Sequence, residues 1–425
     1  MHFVFASMLA LIGTTSAWAE EPDSLTLEQA EMLAIQHNPG LIAQAANVRA
    51  LAQIPVQVGS LPDPALSLKA LNLPTGSFSF SQENMTQLQL GLSQTLPFPG
   101  KLGLQEREAR LQVQTAEFDE AEFQLMLTRD VRISWWNLFY INRALSIVRR
   151  NQELLRQFVK IAETKYKVGK GLQQDVLLAQ LELSKLLDAE ISLDAAMKRE
   201  TAVLNRLLNQ PVNTPLQLPA QVNEALPEVE SELALAHIAQ SSRPLLARYT
   251  KQIEVAETRI DLAEKHWFPD FNLGAAYGIR TGTDPMSGQS RSDLVSATLS
   301  LNLPIYSGSK QSRMVDQRQA ELVRSEFELA DAKMGVLAEV SQALADYLQA
   351  RNQAQLFKTG IIPQANQTVA SMLAGYQVNK VDFLNLVRAQ VTLYNFETQY
   401  WQAIASANQS IARLAAAVGK EISNE

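Results

Sequence analysis

Apolar and polar positions along this chain follow two periods. Three short segments alternate with period two: Leu88, Leu90, Leu92 and Leu96 among Gln87, Gln89, Gly91, Ser93 and Thr95; Phe271, Leu273, Ala275, Tyr277 and Ile279 among Asn272, Gly274, Ala276, Gly278 and Arg280; and Val295, Ala297, Leu299, Leu301 and Leu303 among Ser296, Thr298, Ser300 and Asn302. A fourth, less regular segment precedes them. The pattern predicts strands at about 65–73, 86–97, 270–281 and 293–305, paired as two hairpins around loops 74–85 and 282–292 rich in Gly, Ser, Asn and Asp. Each run is about ten residues, the length of a tilted transmembrane strand. Alternation alone also suits a soluble sandwich with one dry face. Closure separates the two. Four strands leave two open edges, and unpaired backbone groups are too costly at hydrocarbon depth, so a membrane setting requires several copies to share one barrel. Two copies would give eight strands and a side-chain-filled interior; three would give twelve and leave a pore.

Elsewhere the period is helical. No proline occurs from Gly100 to Gln210, and the apolar pattern breaks only around Gly169–Gly171. Helices are expected over 100–166 and 171–209, and again over 309–376 and 380–418, with Gly360 and Pro363 kinking the third. The first would be about 100 Å long at about 1.5 Å per residue, several times the globular mean of about eleven or twelve residues. The return helices carry a seam spaced four and three: Leu172, Val176, Ala179, Leu183, Leu186, and Leu386, Ala389, Leu393, Phe396, Tyr400, Ala403, Ala407. Each turn between long helices holds a residue tolerant of positive φ, Gly169 in one and Asn379 in the other.

The two halves are copies. Asn38-Pro39-Gly40-Leu41 matches Arg243-Pro244-Leu245-Leu246, and Leu61-Pro62-Asp63-Pro64 matches Phe268-Pro269-Asp270-Phe271. Leu92-Ser93-Gln94-Thr95-Leu96-Pro97 matches Leu299-Ser300-Leu301-Asn302-Leu303-Pro304, followed by Gly100-Lys101 and Gly308, Lys310. Tyr166-Lys167-Val168-Gly169-Lys170 matches Tyr376-Gln377-Val378-Asn379-Lys380, and Ala179-Gln180 matches Ala389-Gln390. Shared helical composition would not place these turns in register. The expected organisation is a secretory signal at 1–19, a first repeat at 20–210, a Pro-rich linker at 211–230, a second repeat at 231–418 and a tail at 419–425. The signal rests on the apolar stretch Val4–Ile12 and the small-residue site Ala17-Trp18-Ala19.

Composition narrows the chemistry. No cysteine is present, so a disulfide framework, a thiolate metal site and an acyl-cysteine anchor are excluded. A formal net charge of -7 without a basic stripe gives no footprint for nucleic acid. His37, His237 and His266 stand far apart in no metal-ligand spacing, His266-Trp267 reads as an interfacial anchor, and no phosphate loop or nucleophile elbow occurs. No catalytic constellation, metal site or cofactor is expected.

An alternating hairpin, a helix of some sixty residues, a Tyr-x-x-Gly turn and a return helix, all repeated once, resemble the outer-membrane efflux proteins, the TolC-like family. Pro62-Asp63-Pro64, Leu96-Pro97-Phe98-Pro99-Gly100-Lys101, Tyr166 to Gly169, and Tyr376 to Asn379 with Leu384 and Ala389-Gln390 carry the likeness over essentially the whole mature chain. The resemblance implies a mainly α fold with a membrane β part: a homotrimer whose α-helical barrel crosses the periplasm and continues into a shared twelve-stranded β-barrel in outer-membrane lipid. It implies a passive duct served by a periplasmic adaptor and an inner-membrane pump of the resistance-nodulation-division or ABC type. The Pro-Asp-Pro and Leu-Pro-Phe-Pro-Gly-Lys motifs are similar to those of members that export heavy-metal cations; a type I protein-secretion duct and a periplasmic coiled-coil adaptor are the alternatives. It further implies that the gate and adaptor-docking surface lie at the helix turns: Tyr166, Gly169, Lys170, Asp175, Tyr376, Asn379, Lys380, Asp382, Asn385 and Arg388. There a Tyr376–Asp175 hydrogen bond would hold the tip closed. Asn385 and Arg388 stand where similar proteins carry aspartates, and Arg388 is expected to pair with Asp382 or Asp175.

Overall fold

A computed structural model describes residues 24–422; the signal at 1–19 and the last residues of the tail lie outside them. Four strands, β1 Ala65–Leu71, β2 Gln87–Leu96, β3 Phe271–Ile279 and β4 Leu294–Leu301, form one antiparallel sheet in sequence order. The register aligns Leu68, Leu90, Tyr277 and Val295 across it, with Leu66, Leu88, Leu92, Ile279, Leu273 and Leu299 on the same side. This apolar side is the exposed one: Leu68 is 69% and Val295 79% accessible. Ser67, Gln89, Gly91, Gly274, Ser296 and Thr298 line the other side. A water-soluble sheet would bury the leucines, whereas a membrane barrel turns them outward. β4 stops at Leu301, short of the expected 305, because Pro304 has no N–H for a ladder and residues 305–310 form turns.

The two hairpin loops cap each other. Arg291, only 9% exposed, donates to the carbonyls of Ser81 (3.2 Å), Glu83 (2.9 Å) and Thr281 (3.1 Å), and Thr281 Oγ1 donates to Phe80 O at 2.9 Å.

Each hairpin is preceded by short helices and followed by long ones. α1 Leu27–His37, α2 Pro39–Leu51 and α3 Ile54–Gly59 lead to β1; α4 Lys101–Lys167 and α5 Gln173–Leu207 follow β2. In the second half α6 Glu232–Ser242 and α7 Pro244–Lys265 lead to β3, and α8 Gln311–Leu356, a π-helical turn Phe357–Ile361, α9 Ile362–Gln377 and α10 Phe383–Val418 follow β4. The α1–α2 and α6–α7 corners were visible in the sequence only as matched Asn-Pro and Arg-Pro pairs. Proline suits the first helical position, where its missing N–H has no partner to lose. The residue before it is buried in both copies and reaches the end of the return helix: Asn38 Nδ2 donates to Leu207 O (3.0 Å), and the Arg243 guanidinium donates to Ala416 O (2.5 Å) while clamping Glu122.

The core is strung along the helices as separate clusters. One gathers Trp135, Trp136 and Phe139 of α4 with Leu204 and Leu207 of α5 and Tyr400 and Ile404 of α10. The segment 208–231, without regular structure, straps this waist: Glu224 accepts from Lys358 Nζ (2.7 Å) and Tyr400 Oη (2.6 Å), and Pro227 O accepts from the buried Tyr347 hydroxyl.

Candidate functional site

α4 starts beside the sheet and, at about 1.5 Å per residue, ends about 100 Å away. The turns joining α4 to α5 and α9 to α10 therefore form the far tip. Both close alike. Gly169 N and Lys170 N donate to Tyr166 O (3.0 Å) and Lys165 O (2.9 Å); Asn379 N and Lys380 N donate to Tyr376 O (3.2 Å) and Gly375 O (2.9 Å). Gly169 and Asn379 take φ of 73° and 59°, the left-handed conformation that ends a helix and reverses the chain.

One lysine joins the turns. Lys165 Nζ donates to Tyr376 O and Asn379 Oδ1, both at 2.8 Å, and sits 3.9 Å from the centre of the Tyr376 ring. That ring packs against Phe383 at 5.2 Å, which meets Phe158 of α4 edge-on at 6.3 Å. A buried hydrophobic cluster continues beneath them through Leu155, Ala179, Leu386 and Val387. The tip is thus a packed four-helix end tied by a cation.

The expected Tyr376–Asp175 hydrogen bond is not made. Tyr376 is 6% exposed, and its hydroxyl has no hydrogen-bond partner among the described residues. Burial pushes its pKa up, and the Asp175 carboxylate adds to the shift from a distance. Asp175 remains half-buried in the first turn of α5. Arg388 is exposed and forms no ion pair among the described residues, so neither expected pairing occurs. Asp382 stands at the N-cap of α10 without a side-chain capping bond, and Tyr166, Lys170, Lys380 and Asn385 are exposed. The structure brings together Tyr376 and Asn379, and leaves most of the other predicted tip residues facing solvent.

Lys165, Phe158 and Phe383 were missed. Lys165 had one visible signal, since its counterpart in the second copy is Gly375, where a Cβ would lie 2.5 Å from Val381 Cγ2. The copies therefore differ where one supplies the tie and the other receives it. Among the described residues no group of His, Asp and Glu could hold a metal ion, and no helix is long and apolar enough to cross a membrane.

The model of the outer membrane efflux protein family matches residues 32–210 and 235–420. The chain belongs to this family. Its two matched segments fall on the two structural repeats and leave out part of the waist strap. Among curated proteins it is similar to protein CyaE of Bordetella pertussis, 26% identical over 78% of this chain and 71% of that protein. It is also 20% identical to the cobalt-zinc-cadmium resistance protein CzcC of Cupriavidus metallidurans, over 94% of this chain and 91% of CzcC. The solved outer membrane protein VceC of Vibrio cholerae superposes with a TM-score of 0.77 at 16% identity, covering 93% of this chain and 97% of that one. The fold is the trimeric TolC-like channel fold, with four strands of the β-barrel in each chain. As an outer membrane efflux protein, the chain is an outer-membrane channel whose long helices extend through the periplasm. Members of the family are channels that work with a periplasmic adaptor and an inner-membrane pump.

Proposed function

We propose that this channel is a passive duct, without catalysis of its own, that carries heavy-metal cations from a periplasmic adaptor and an inner-membrane pump to the exterior. The observation supporting the cargo is the nearly end-to-end match with CzcC. We further propose that the tip is both gate and docking surface, and that Lys165 rather than Tyr376 and Asp175 holds it closed. Lys165 fastens the α9–α10 turn to the end of α4, while Lys170, Lys380, Asp382 and Arg388 project into solvent without ion pairs among the described residues and are available to an adaptor.

Planar-bilayer conductance tests the gate. Lys165→Met removes a charge-assisted pair of hydrogen bonds worth about 1.5–3 kcal/mol each at most, and is expected to raise leak conductance several-fold, whereas Tyr376→Phe leaves it near the parent value. A leak that follows Tyr376→Phe and ignores Lys165→Met would refute this assignment. The cargo is read from growth of a deletion strain: sensitivity to cobalt, zinc or cadmium supports metal export. Unchanged metal tolerance with loss of a secreted protein would overturn it.

A further inference from the structure

One contact between the two repeats inside this chain leaves an equivalent set of groups without partners among the described residues. At the base of the sheet, Asp270 of the second repeat meets the Leu-Pro-Phe-Pro-Gly-Lys segment of the first. Its Oδ1 accepts from Lys101 Nζ and from Phe98 N, both at 2.7 Å; Lys101 Nζ also reaches Phe268 O at 3.1 Å, and Phe98 stacks on Phe268 at 4.4 Å. These are two of the motifs that recur. The counterpart of Asp270 is Asp63, that of Lys101 is Lys310, and those of Phe268 and Phe98 are Leu61 and Ile305. Inside one chain this second set is left apart. Asp63 and Lys310 are exposed and make no ion pair among the described residues, and Leu61 and Ile305 are 53% and 74% exposed.

The strands point the same way. β2 pairs with β3 from Leu88 opposite Ile279 to Leu96 opposite Phe271. Shifting β2 forward and β3 back by the repeat offset of these motifs maps that ladder onto β4 and β1, the two open edges. Leu301 then faces Leu66, Ser300 faces Ser67, Leu299 faces Leu68 and Ala297 faces Ala70. On the exposed side Leu66, Leu68 and Ala70 of β1 each meet an apolar residue of β4, Val295 falls opposite Asn72 just beyond β1, and on the other side Ser67 meets Ser300. A slip of one residue in either direction would set Leu66, Leu68 and Leu299 each against a polar residue.

We propose that a second copy of this chain docks edge to edge in this register, with Asp63 of one copy bound by Lys310 of the next and Leu61 packed on Ile305. This rests on the trimeric reading and adds the residues and register that close the barrel. The Lys310 ammonium also lines a cleft of about 230 Å³ with Lys101, His266 and Asp270. In that cleft Lys101 has its carboxylate and Lys310 does not, so an incoming Asp63 completes the charge pairing.

The absence of native cysteine makes cross-linking direct. Within one chain β1 and β4 are separated by two strands, about 14 Å at about 4.8 Å per step, too far for a disulfide, so any link joins copies. The full-length double variants Ser67→Cys/Ser300→Cys and Leu68→Cys/Leu299→Cys sit on opposite faces, and one of them is the closely spaced, non-hydrogen-bonded type of pair. Oxidation is expected to give covalent dimers and trimers with at least one of them. The two-residue slips Ser67→Cys/Thr298→Cys and Leu68→Cys/Ala297→Cys should stay monomeric in denaturing gels. A trimer by mass in detergent that cross-links only in a slipped pair would overturn the register while leaving the trimer intact; a monomer by mass would remove the trimeric reading itself. The ion pair is tested separately. Asp63→Lys and Lys310→Asp should each lower the temperature at which the trimer dissociates, and together should recover at least half of the loss. Additive losses would refute the pair.

Discussion

The junction between sheet and helix rests on one carboxylate. Asp270 is opposed by burial, yet the Lys101 ammonium and the Phe98 N–H hold its pKa below the usual carboxylate range. A lowered folded pKa means that its contribution is complete above the unfolded value of about 3.9 and is lost as the pH falls through the folded one. Lys101, with a side chain 6% exposed, depends on that charge. Asp270→Asn is therefore expected to destabilise the protein by about 2 kcal/mol at neutral pH, since a buried ammonium loses its counter-charge, and to flatten the fall in stability below about pH 4. Thermal unfolding followed by circular dichroism across pH 3–7 checks both. Adding Lys101→Met to Asp270→Asn should cost less than the two single changes summed. The sequence displayed Asp270 and Lys101 only as members of matched motifs. That they bind each other across the repeats required the ladder register, which lies in no local pattern.

Helix lengths and turns were legible because a long unbroken 3.6 period leaves few alternatives. The interruption of the third long helix was legible as Gly360 and Pro363, but its form was not. Buried Leu127, Val131, Leu138 and Ile141 of α4 have counterparts 209 residues on, in Val336, Val340, Tyr347 and Ala350 of α8, whereas Tyr166 finds Tyr376 at 210. The second copy holds one extra residue between waist and tip. The π turn Phe357–Ile361, with Ile362 N donating to Phe357 O, absorbs it so that the tip seam returns to phase. Deleting Gly360 should then convert the turn to plain α-helix, with Tyr376 still over Lys165 and assembly preserved. Deleting Val159 from α4, where no widened turn can compensate, should rotate the tip by about 100° and abolish the trimer. Gel mobility of unheated samples distinguishes the outcomes, and loss of the trimer in the Gly360 deletion would sink the argument. Lys165 stayed hidden for the opposite reason: a lysine in the last turn of any helix is ordinary, and only the carbonyl of another turn made it a tie.

For the molecule as a whole, the distribution of apolar side chains is inverted between its two ends. The helices bury Trp135, Leu138, Tyr347 and Phe383 between elements, while the sheet turns Leu66, Leu68, Leu90, Leu92, Tyr277 and Val295 outward and keeps Gly, Ser and Gln within. Period two announced both faces in the sequence; the sign of the exposure came from the structure, because alternation is the same whether the apolar side meets a core or lipid. The inversion makes a directional prediction. Leu90 lies near the middle of β2, between Leu68 and Tyr277 on the outer face, and Ser296 lies at similar height on the inner face opposite Ala276. Leu90→Arg places a guanidinium at the hydrocarbon midplane and should cost about 2–4 kcal/mol per copy, reducing the amount of assembled protein in the outer-membrane fraction. Ser296→Arg puts the same charge into a water-filled lumen, so assembly should persist while single-channel conductance and ion preference change. Equal tolerance of both substitutions would mean that the exposed leucines meet water or another protein rather than lipid.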